Sequence, residues 1–106
     1  MAIATINPAT GETIKTFASL TAAEIETKLA LAESTFKQYR QTTFTQRSQW
    51  LNQAAAILEQ DKLKFAQIMT TEMGKTLQSA IAEVEKCAKV CRFYAEKAPE
   101  FLANVP

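Results

Sequence analysis

Two cysteines, Cys87 and Cys91, carry the most reactive side chains of this sequence. A structural zinc site needs four ligands, and the chain offers no third cysteine and no histidine. A catalytic thiolate needs a neighbouring base or a helix N-terminus, whereas both cysteines fall in the middle of a predicted helix. We therefore interpret both as small apolar core residues, and we predict no metal site.

The spacing of the two cysteines also indicates their redox state. Residues four apart on a helix face the same way but do not easily reach disulfide geometry. Two reduced cysteines fit a cytoplasmic protein. The N-terminus lacks a signal-peptide pattern, and no run approaches the roughly 18 apolar residues that a membrane span requires. We therefore expect a cytoplasmic protein without a membrane partner.

The segment Gly74-Lys75-Thr76 resembles the end of a phosphate-binding loop. The complete pattern would need glycine at position 69, which is Met69, and a strand before it, where the sequence predicts a helix. The favoured interpretation is that Gly74 ends one helix in the left-handed conformation and that Thr76 caps the next.

Charged side chains lie three and four apart on the last predicted helix, at Glu83, Glu85, Lys86, Lys89 and Arg92. The pattern, which includes a Glu85–Lys89 pair, is typical of a solvated helix face, and we favour this interpretation. The alternative is that one basic side chain of this face contacts an anionic substrate. No pair of carboxylates is positioned for acid–base work, so the chain contains no complete catalytic constellation.

Composition excludes several classes of protein. Twelve basic and eleven acidic residues leave a formal charge of +1, without the concentrated basic surface that a nucleic-acid partner requires. Two glycines cannot build a dinucleotide-binding loop, and the absence of histidine removes the commonest general base. The length of 106 residues allows one domain.

The elements that must position these residues are a hairpin and about four helices, which is a mainly α fold. β-Branched and aromatic residues on either side of Asn7-Pro8-Ala9-Thr10-Gly11 predict a β-hairpin over residues 2–17. Helical periodicity then covers residues 21–97. The lone Trp50 and the phenylalanines fall on apolar helical stripes, which favours core packing over a stacking surface.

Capping signals divide the helical region. Thr21 and Thr43 each begin a capping box, Asp61 can cap a third helix, and Thr76 can begin the fourth. The first helix should end at about Arg40, and the fourth near Lys97 because Pro99 disfavours helix at the residue before it. The predicted inward residues are Ile25, Leu29, Ala32, Phe36 and Tyr39; Trp50, Leu51, Ala54, Ile57 and Leu58; Phe65, Ile68 and Met69; and Leu77, Ala80, Ile81, Val84, Cys87, Ala88, Cys91, Tyr94 and Ala95.

Four segments together carry a family resemblance. They are NPATGE at 7–12, Arg47 followed by Leu51 and Ala54, EMGK at 72–75, and Glu83-Val84 followed by Arg92-Phe93-Tyr94-Ala95. In this order and spacing they resemble the N-terminal part of the NAD(P)-dependent aldehyde dehydrogenase superfamily, over essentially the whole chain. Residues 83–102 are similar to bacterial succinate-semialdehyde dehydrogenases. Thr76 stands where the family often has proline, and either residue suits a helix start.

The resemblance implies an N-terminal fragment of an enzyme that uses NAD or NADP to oxidise a semialdehyde, succinate semialdehyde above all, to the acid. Residues 21–97 would form a helical layer of the parent's α/β cofactor-binding domain, with the catalytic domain absent. The family's cofactor loop, glutamate base and nucleophilic cysteine belong to later segments. The chain alone is therefore expected to bind no cofactor and to be inactive, and no catalytic or cofactor-binding residue is assigned.

The resemblance also implies a role for one lysine and a set of partners. The last helix of the layer lies near the family's substrate entrance, so Lys86 would attract an aldehyde that carries a carboxylate. Apolar faces exposed in a fragment drive association, so the expected partners are the remainder of the parent chain or other copies, in a homo-oligomer. The alternative is an autonomous helical protein-interaction module derived from the family.

Overall fold

The fold is a hairpin followed by four helices in the computed structural model, which describes residues 3–106. Its elements are β1 (Ile3–Ile6), β2 (Thr13–Phe17), α1 (Ala22–Tyr39), α2 (Phe44–Gln60), α3 (Lys62–Met73) and α4 (Leu77–Phe101). The mainly α class and the element order confirm the sequence prediction. Residue 2, the predicted start of the hairpin, lies outside the described residues.

Turn chemistry closes the hairpin. The strands pair antiparallel with Ile3 opposite Phe17, and the register shifts between Thr5 and Ile6. The Asn7 carbonyl accepts a hydrogen bond from the Gly11 amide at 2.8 Å, while the Asn7 side chain accepts from the Ala9 amide at 2.9 Å. Gly11 has a φ of 77°, which glycine adopts without steric cost. The loop therefore uses the turn residues that the sequence indicated.

Helix starts follow the predicted caps with one exception. The Thr21 and Thr43 side chains each accept a hydrogen bond from the amide three residues on. In return, the side chains of Glu24 and Gln46 accept hydrogen bonds from the threonine amides. Asp61, in contrast, makes no side-chain capping bond, so that prediction is wrong. A single residue separates α2 from α3, and its amide already donates to the Ile57 carbonyl at the end of α2. Its φ of −101° and ψ of 20° are not the extended conformation that an N-cap residue adopts.

The predicted end of α4 near Lys97 is also wrong, because the helix continues through Pro99 to Phe101. Proline has no amide hydrogen, so the carbonyl four residues earlier, that of Ala95, loses its helical donor. The Ser48 hydroxyl of α2 donates to this carbonyl instead. A side chain from a neighbouring helix thus supplies the hydrogen bond that the proline cannot, and the helix continues.

The core lies between α2, α3 and α4, which we call the three-helix unit. Its buried residues are Ala55, Ala66, Ala80, Val84, Ala88 and Ala95. Small side chains at the contact let helix axes approach closely. The four buried residues of α4 all belong to its predicted inward face, which contacts both α2 and α3, but Leu77, Cys87 and Tyr94 of that prediction are exposed.

The predicted inward faces of α2 and α3 are partly wrong. Trp50, Ile57 and Ile68 are each about half-exposed, whereas Ala55 and Ala66 are fully buried and were not predicted. The prediction followed the largest apolar residues, but the close helix contacts select alanine. The large residues therefore lie around the contact and not within it.

Helix α1 is the strongest departure from the expected packing. No residue of α1 is buried, and Leu29 and Phe36 of its apolar stripe are each 59% exposed. The radius of gyration is 18.4 Å, against about 13 Å for a compact domain of 100 residues. The stripe exists as predicted, but within residues 3–106 no helix or strand packs extensively against it. Within the same residues no helix has the length and apolar character needed to cross a membrane.

Candidate functional site

Lys86 lies on the exposed side of α4 and lines an open groove of about 740 Å³. Lys75, Glu83, Cys87 and Cys91 line the same groove. Residues 83, 87 and 91 are four apart, so successive turns of α4 bring these side chains to one side of the helix. We call this surface the α4 groove.

Lys75 and Glu83 form an ion pair in the α4 groove. The hydrogen bond from Lys75 lowers the pKa of Glu83, the positive charge of Lys75 lowers it further, and the charge of Lys86 contributes a smaller part. Lys86 itself makes no ion pair with any carboxylate among the described residues. Of the two lysines that line the α4 groove, Lys86 is therefore the one whose ammonium can attract an anion.

The charged face of α4 forms ion pairs with α2 and α3, and the spacing of its residues did not indicate these partners. Glu85 accepts a hydrogen bond from Lys62 of α3 at 2.7 Å, in place of the predicted contact with Lys89. The Arg92 guanidinium donates two bonds, of 3.1 and 2.6 Å, to the carboxylate of Glu59 in α2. These hydrogen bonds lower the pKa of Glu85 and of Glu59. These side chains are 44–47% exposed, so the face is solvated as predicted, and it also makes contacts between helices.

The two cysteines differ in their surroundings. Cys91 is half-buried, but Cys87 is exposed, so the prediction that both are core residues is wrong for Cys87. Cys87 precedes the buried Ala88, and adjacent helical residues point about 100° apart. Within the described part of the chain, no three His, Cys, Asp or Glu side chains come together as a potential metal site.

Gly74 and Thr76 form a helix end and a helix start, as the favoured interpretation predicted. Gly74 has a φ of 70°, and its amide donates to the Thr70 carbonyl at 2.9 Å. Thr76 accepts a hydrogen bond from the Ser79 amide at 3.4 Å. A Cβ atom at position 74 would lie 3.0 Å from Cγ of Pro8, so the hairpin loop rests against this glycine. The segment connects helices and has no phosphate-binding loop around it.

A second concave surface surrounds Arg47, where α1, α2 and α4 meet. The Nε atom of Arg47 donates to the Thr42 hydroxyl at 2.8 Å, and its Nη2 atom donates to the Tyr39 carbonyl at 3.1 Å. The guanidinium carbon lies 4.7 Å from the centre of the Tyr39 ring, which stacks on Trp50 at 5.8 Å. Sequence reasoning used Arg47 only within a family motif, because nothing local indicates which aromatic residues it contacts.

Comparison with known proteins decides the family. Residues 1–105 match the aldehyde dehydrogenase family. The chain belongs to this family. It is 58% identical over 104 residues to a probable NADP(+) succinate-semialdehyde dehydrogenase of Synechocystis sp., covering 98% of this chain and 23% of that protein. It is 57% identical to the NADP(+) succinate-semialdehyde dehydrogenase of Mycobacterium leprae, covering the whole chain and 23% of that protein.

Solved structures agree with the family assignment. This family member superposes on the succinic semialdehyde dehydrogenase of Streptococcus pyogenes, solved with NADP+ as its cofactor, with a TM-score of 0.92 and 39% identity. That match covers 99% of this chain and 23% of the other. The structure of Gox0499, described for its cofactor and substrate selection, matches with a TM-score of 0.95 and 33% identity, over 100% and 24% of the two chains. The chain thus spans about a quarter of the length of the relatives that it matches.

Proposed function

We propose that this chain is the N-terminal helical layer of the cofactor-binding domain of an NADP-dependent succinate-semialdehyde dehydrogenase in the cytoplasm. The end-to-end match carries this proposal, since relatives with that name are 53–58% identical over nearly the whole chain, which covers 23% of their length. The parent enzyme would oxidise succinate semialdehyde to the acid, and the bound cofactor would accept the hydride. The catalytic groups would lie in the parent's remaining sequence.

The residues described here do not fit the cofactor itself. Gly11 lies in the turn of the hairpin, and Gly74 ends α3 against Pro8. Neither glycine lies in a loop where successive amides could hold a pyrophosphate. NADP is therefore proposed for the parent enzyme only, and no residue of this chain is assigned to it or to a catalytic step.

The exposed stripe of α1 supports a role as part of a larger assembly. Leu29 and Phe36 lie in a row of exposed apolar side chains, and such continuous patches mark interaction surfaces. The remainder of the parent chain would cover this stripe, and in its absence another copy of the chain would do so. The chain on its own is then an inactive homo-oligomer. The alternative, an autonomous interaction module, predicts a stable monomer that captures a partner.

Lys86 would serve the parent by attracting the carboxylate of succinate semialdehyde. Support comes from its exposed position in the α4 groove and from the absence of an ion pair with the described carboxylates. Lys75, the other lysine of the groove, is already bonded to Glu83. A single exposed charge has a modest effect, so we expect about a two- to fivefold change in KM when it is removed.

A chimeric enzyme tests the proposal. The chain replaces the matching segment of the Synechocystis enzyme, and reduction of NADP+ by succinate semialdehyde is measured. We expect an active chimera and no activity from the 106-residue chain alone. Activity of the isolated chain would contradict the proposal, as would a folded chimera without activity.

The same chimera tests Lys86. Lys86→Ala should raise KM for succinate semialdehyde while leaving KM for butanal, which lacks the carboxylate, unchanged. Lys89→Ala removes the same charge from α4 at a position outside the groove and serves as the matched control. An equal change in KM for both aldehydes would contradict the assignment of Lys86.

A further inference from the structure

An apolar cavity of about 290 Å³ lies beside Arg47, where the end of α1 meets the start of α2 and the end of α4. Tyr39, Phe44, Trp50 and Tyr94 contribute aromatic rings to its wall. The volume is close to the lower limit of the range of about 300–1,000 Å³ that is usual for small-molecule sites. We call it the aromatic cavity, and its size suits a ligand with one ring.

Arg47 brings a positive charge to this apolar wall. Its two hydrogen bonds inside the protein go to neutral oxygens, the hydroxyl of Thr42 and the carbonyl of Tyr39. No carboxylate among residues 3–106 forms an ion pair with it. A guanidinium has five N–H donors, so three remain after these two bonds. The half-buried charge is thus held in place but not neutralised.

Two aromatic rings and two hydrogen bonds limit the movement of the Arg47 guanidinium. Its carbon lies 4.7 Å from the centre of the Tyr39 ring and 5.9 Å from that of the Phe44 ring, and its Nε atom donates to Thr42. A planar guanidinium held in this way binds a carboxylate through two parallel bonds more readily than a lysine ammonium does. Aromatic walls with one fixed cation are complementary to a ring that carries an acid.

We propose that the aromatic cavity binds a small aromatic carboxylate, with the ring packed among Tyr39, Trp50 and Tyr94 and the carboxylate bonded to Arg47. This site is separate from the α4 groove and does not depend on the function proposed for Lys86. The binding is non-covalent and needs no other group.

Trp50 makes the proposal measurable, because it is the only tryptophan of the chain and lines the cavity. Titration of the 106-residue chain with benzoate should change its fluorescence saturably. Benzamide has the same ring without the charge, and we expect it to bind about tenfold more weakly or worse, since bonds to charged groups are the stronger ones. Equal affinities for benzoate and benzamide would overturn the proposal.

Variants of two arginines locate the site. Arg47→Gln should abolish the preference for benzoate over benzamide. Arg40→Gln removes the same charge from a side chain that stacks on Phe36 outside the cavity, and it should bind benzoate as the unmodified chain does. Unchanged benzoate binding by Arg47→Gln would overturn the assignment. If circular dichroism shows that Arg47→Gln does not fold, the comparison of benzoate with benzamide on the unmodified chain decides.

Discussion

Helices α1 and α4 are both amphipathic and both start at a capping threonine, but their apolar faces are buried to opposite extents. α4 buries four residues against α2 and α3, and one of them, Val84, is only 2% exposed. α1 buries no residue, although its stripe carries larger side chains such as Leu29 and Phe36. Periodicity predicts that a helix has an apolar face, but burial also requires a surface that can cover it.

The difference in side-chain size has a consequence for α1. Alanines dominate the contacts of α4, so each buried residue removes little apolar area from water and the helices approach closely. A surface that covered Ile25, Leu29 and Phe36 would remove more apolar area per residue. Covering the apolar stripe of α1 would therefore contribute more stabilisation per residue than the existing contacts of α4 do.

Placing the same charge on the two helices should give the largest contrast. Val84→Asp introduces an unpaired carboxylate into the packed core, and we expect it to lower the free energy of unfolding by about 3 kcal/mol or more. Leu29→Asp places the carboxylate on the stripe of α1 that is exposed in the monomer, so at concentrations low enough to keep the chain monomeric it should change that free energy by less than about 0.5 kcal/mol. Urea unfolding followed by circular dichroism measures both. Equal losses under these conditions would show that α1 is packed within the monomer.

Self-association should depend on the α1 stripe. Burial of a leucine or a phenylalanine contributes about 1.5–3 kcal/mol, so the double variant Leu29→Gln with Phe36→Gln should raise the dissociation constant at least about a hundredfold. Val105→Gln alters an apolar residue that is 91% exposed and lies outside α1, and it should have no effect. Light scattering over a concentration series measures the association. A monomeric unmodified chain at high concentration would contradict this expectation and favour the autonomous module.

Local signals predicted most of the fold. Thr21 and Thr43 start helices through bonds that span three residues, and Gly74 ends one through its own backbone conformation. These devices are complete within a few residues, so their sequence pattern is sufficient. The hairpin turn at Asn7 and Gly11 is of the same kind.

Interactions between distant residues account for what could not be predicted. Ser48 and Ala95 are 47 positions apart, and no local pattern connects them. The bonds from Lys62 to Glu85 and from Arg92 to Glu59 likewise depend on how the helices pack. For the same reason the sequence could nominate Lys86 as a basic side chain of α4, but could not show that it shares a groove with a lysine already bonded to a carboxylate.

The extension of α4 through Pro99 gives a smaller and more local test. Ser48→Ala removes the donor to the Ala95 carbonyl, and we expect it to lower the free energy of unfolding by about 1–2 kcal/mol. In a Pro99→Ala background the amide of residue 99 can donate to that carbonyl, so the same change should cost less than about 0.5 kcal/mol. Urea unfolding of the unmodified chain, the two single variants and the double variant measures both costs. Equal costs in the two backgrounds would mean that Ser48 acts independently of the proline.

The smallest expected difference between α4 and α1 is in how acid affects their stability. The hydrogen bond from Arg92 lowers the pKa of Glu59 below its ordinary value of 4.5, and this contact joins α2 to α4. In α1 the Thr21 backbone amide lowers the pKa of Glu24, but that contact stays within one helix end. Protonation of Glu59 therefore loosens a contact between helices, whereas protonation of Glu24 affects only the first turn of α1.

The direction of the pH dependence follows from the lowered pKa of Glu59. The stability that its charged form contributes is complete above pH 4.5 and is lost as the pH falls through the lower pKa of the folded state. Glu59→Gln should therefore reduce the difference between the urea midpoints at pH 7 and pH 3. Glu33→Gln removes a carboxylate that pairs with Lys37 inside α1 and should leave that difference unchanged. If both variants altered it equally, the ion pairs between helices would contribute no more than those within α1.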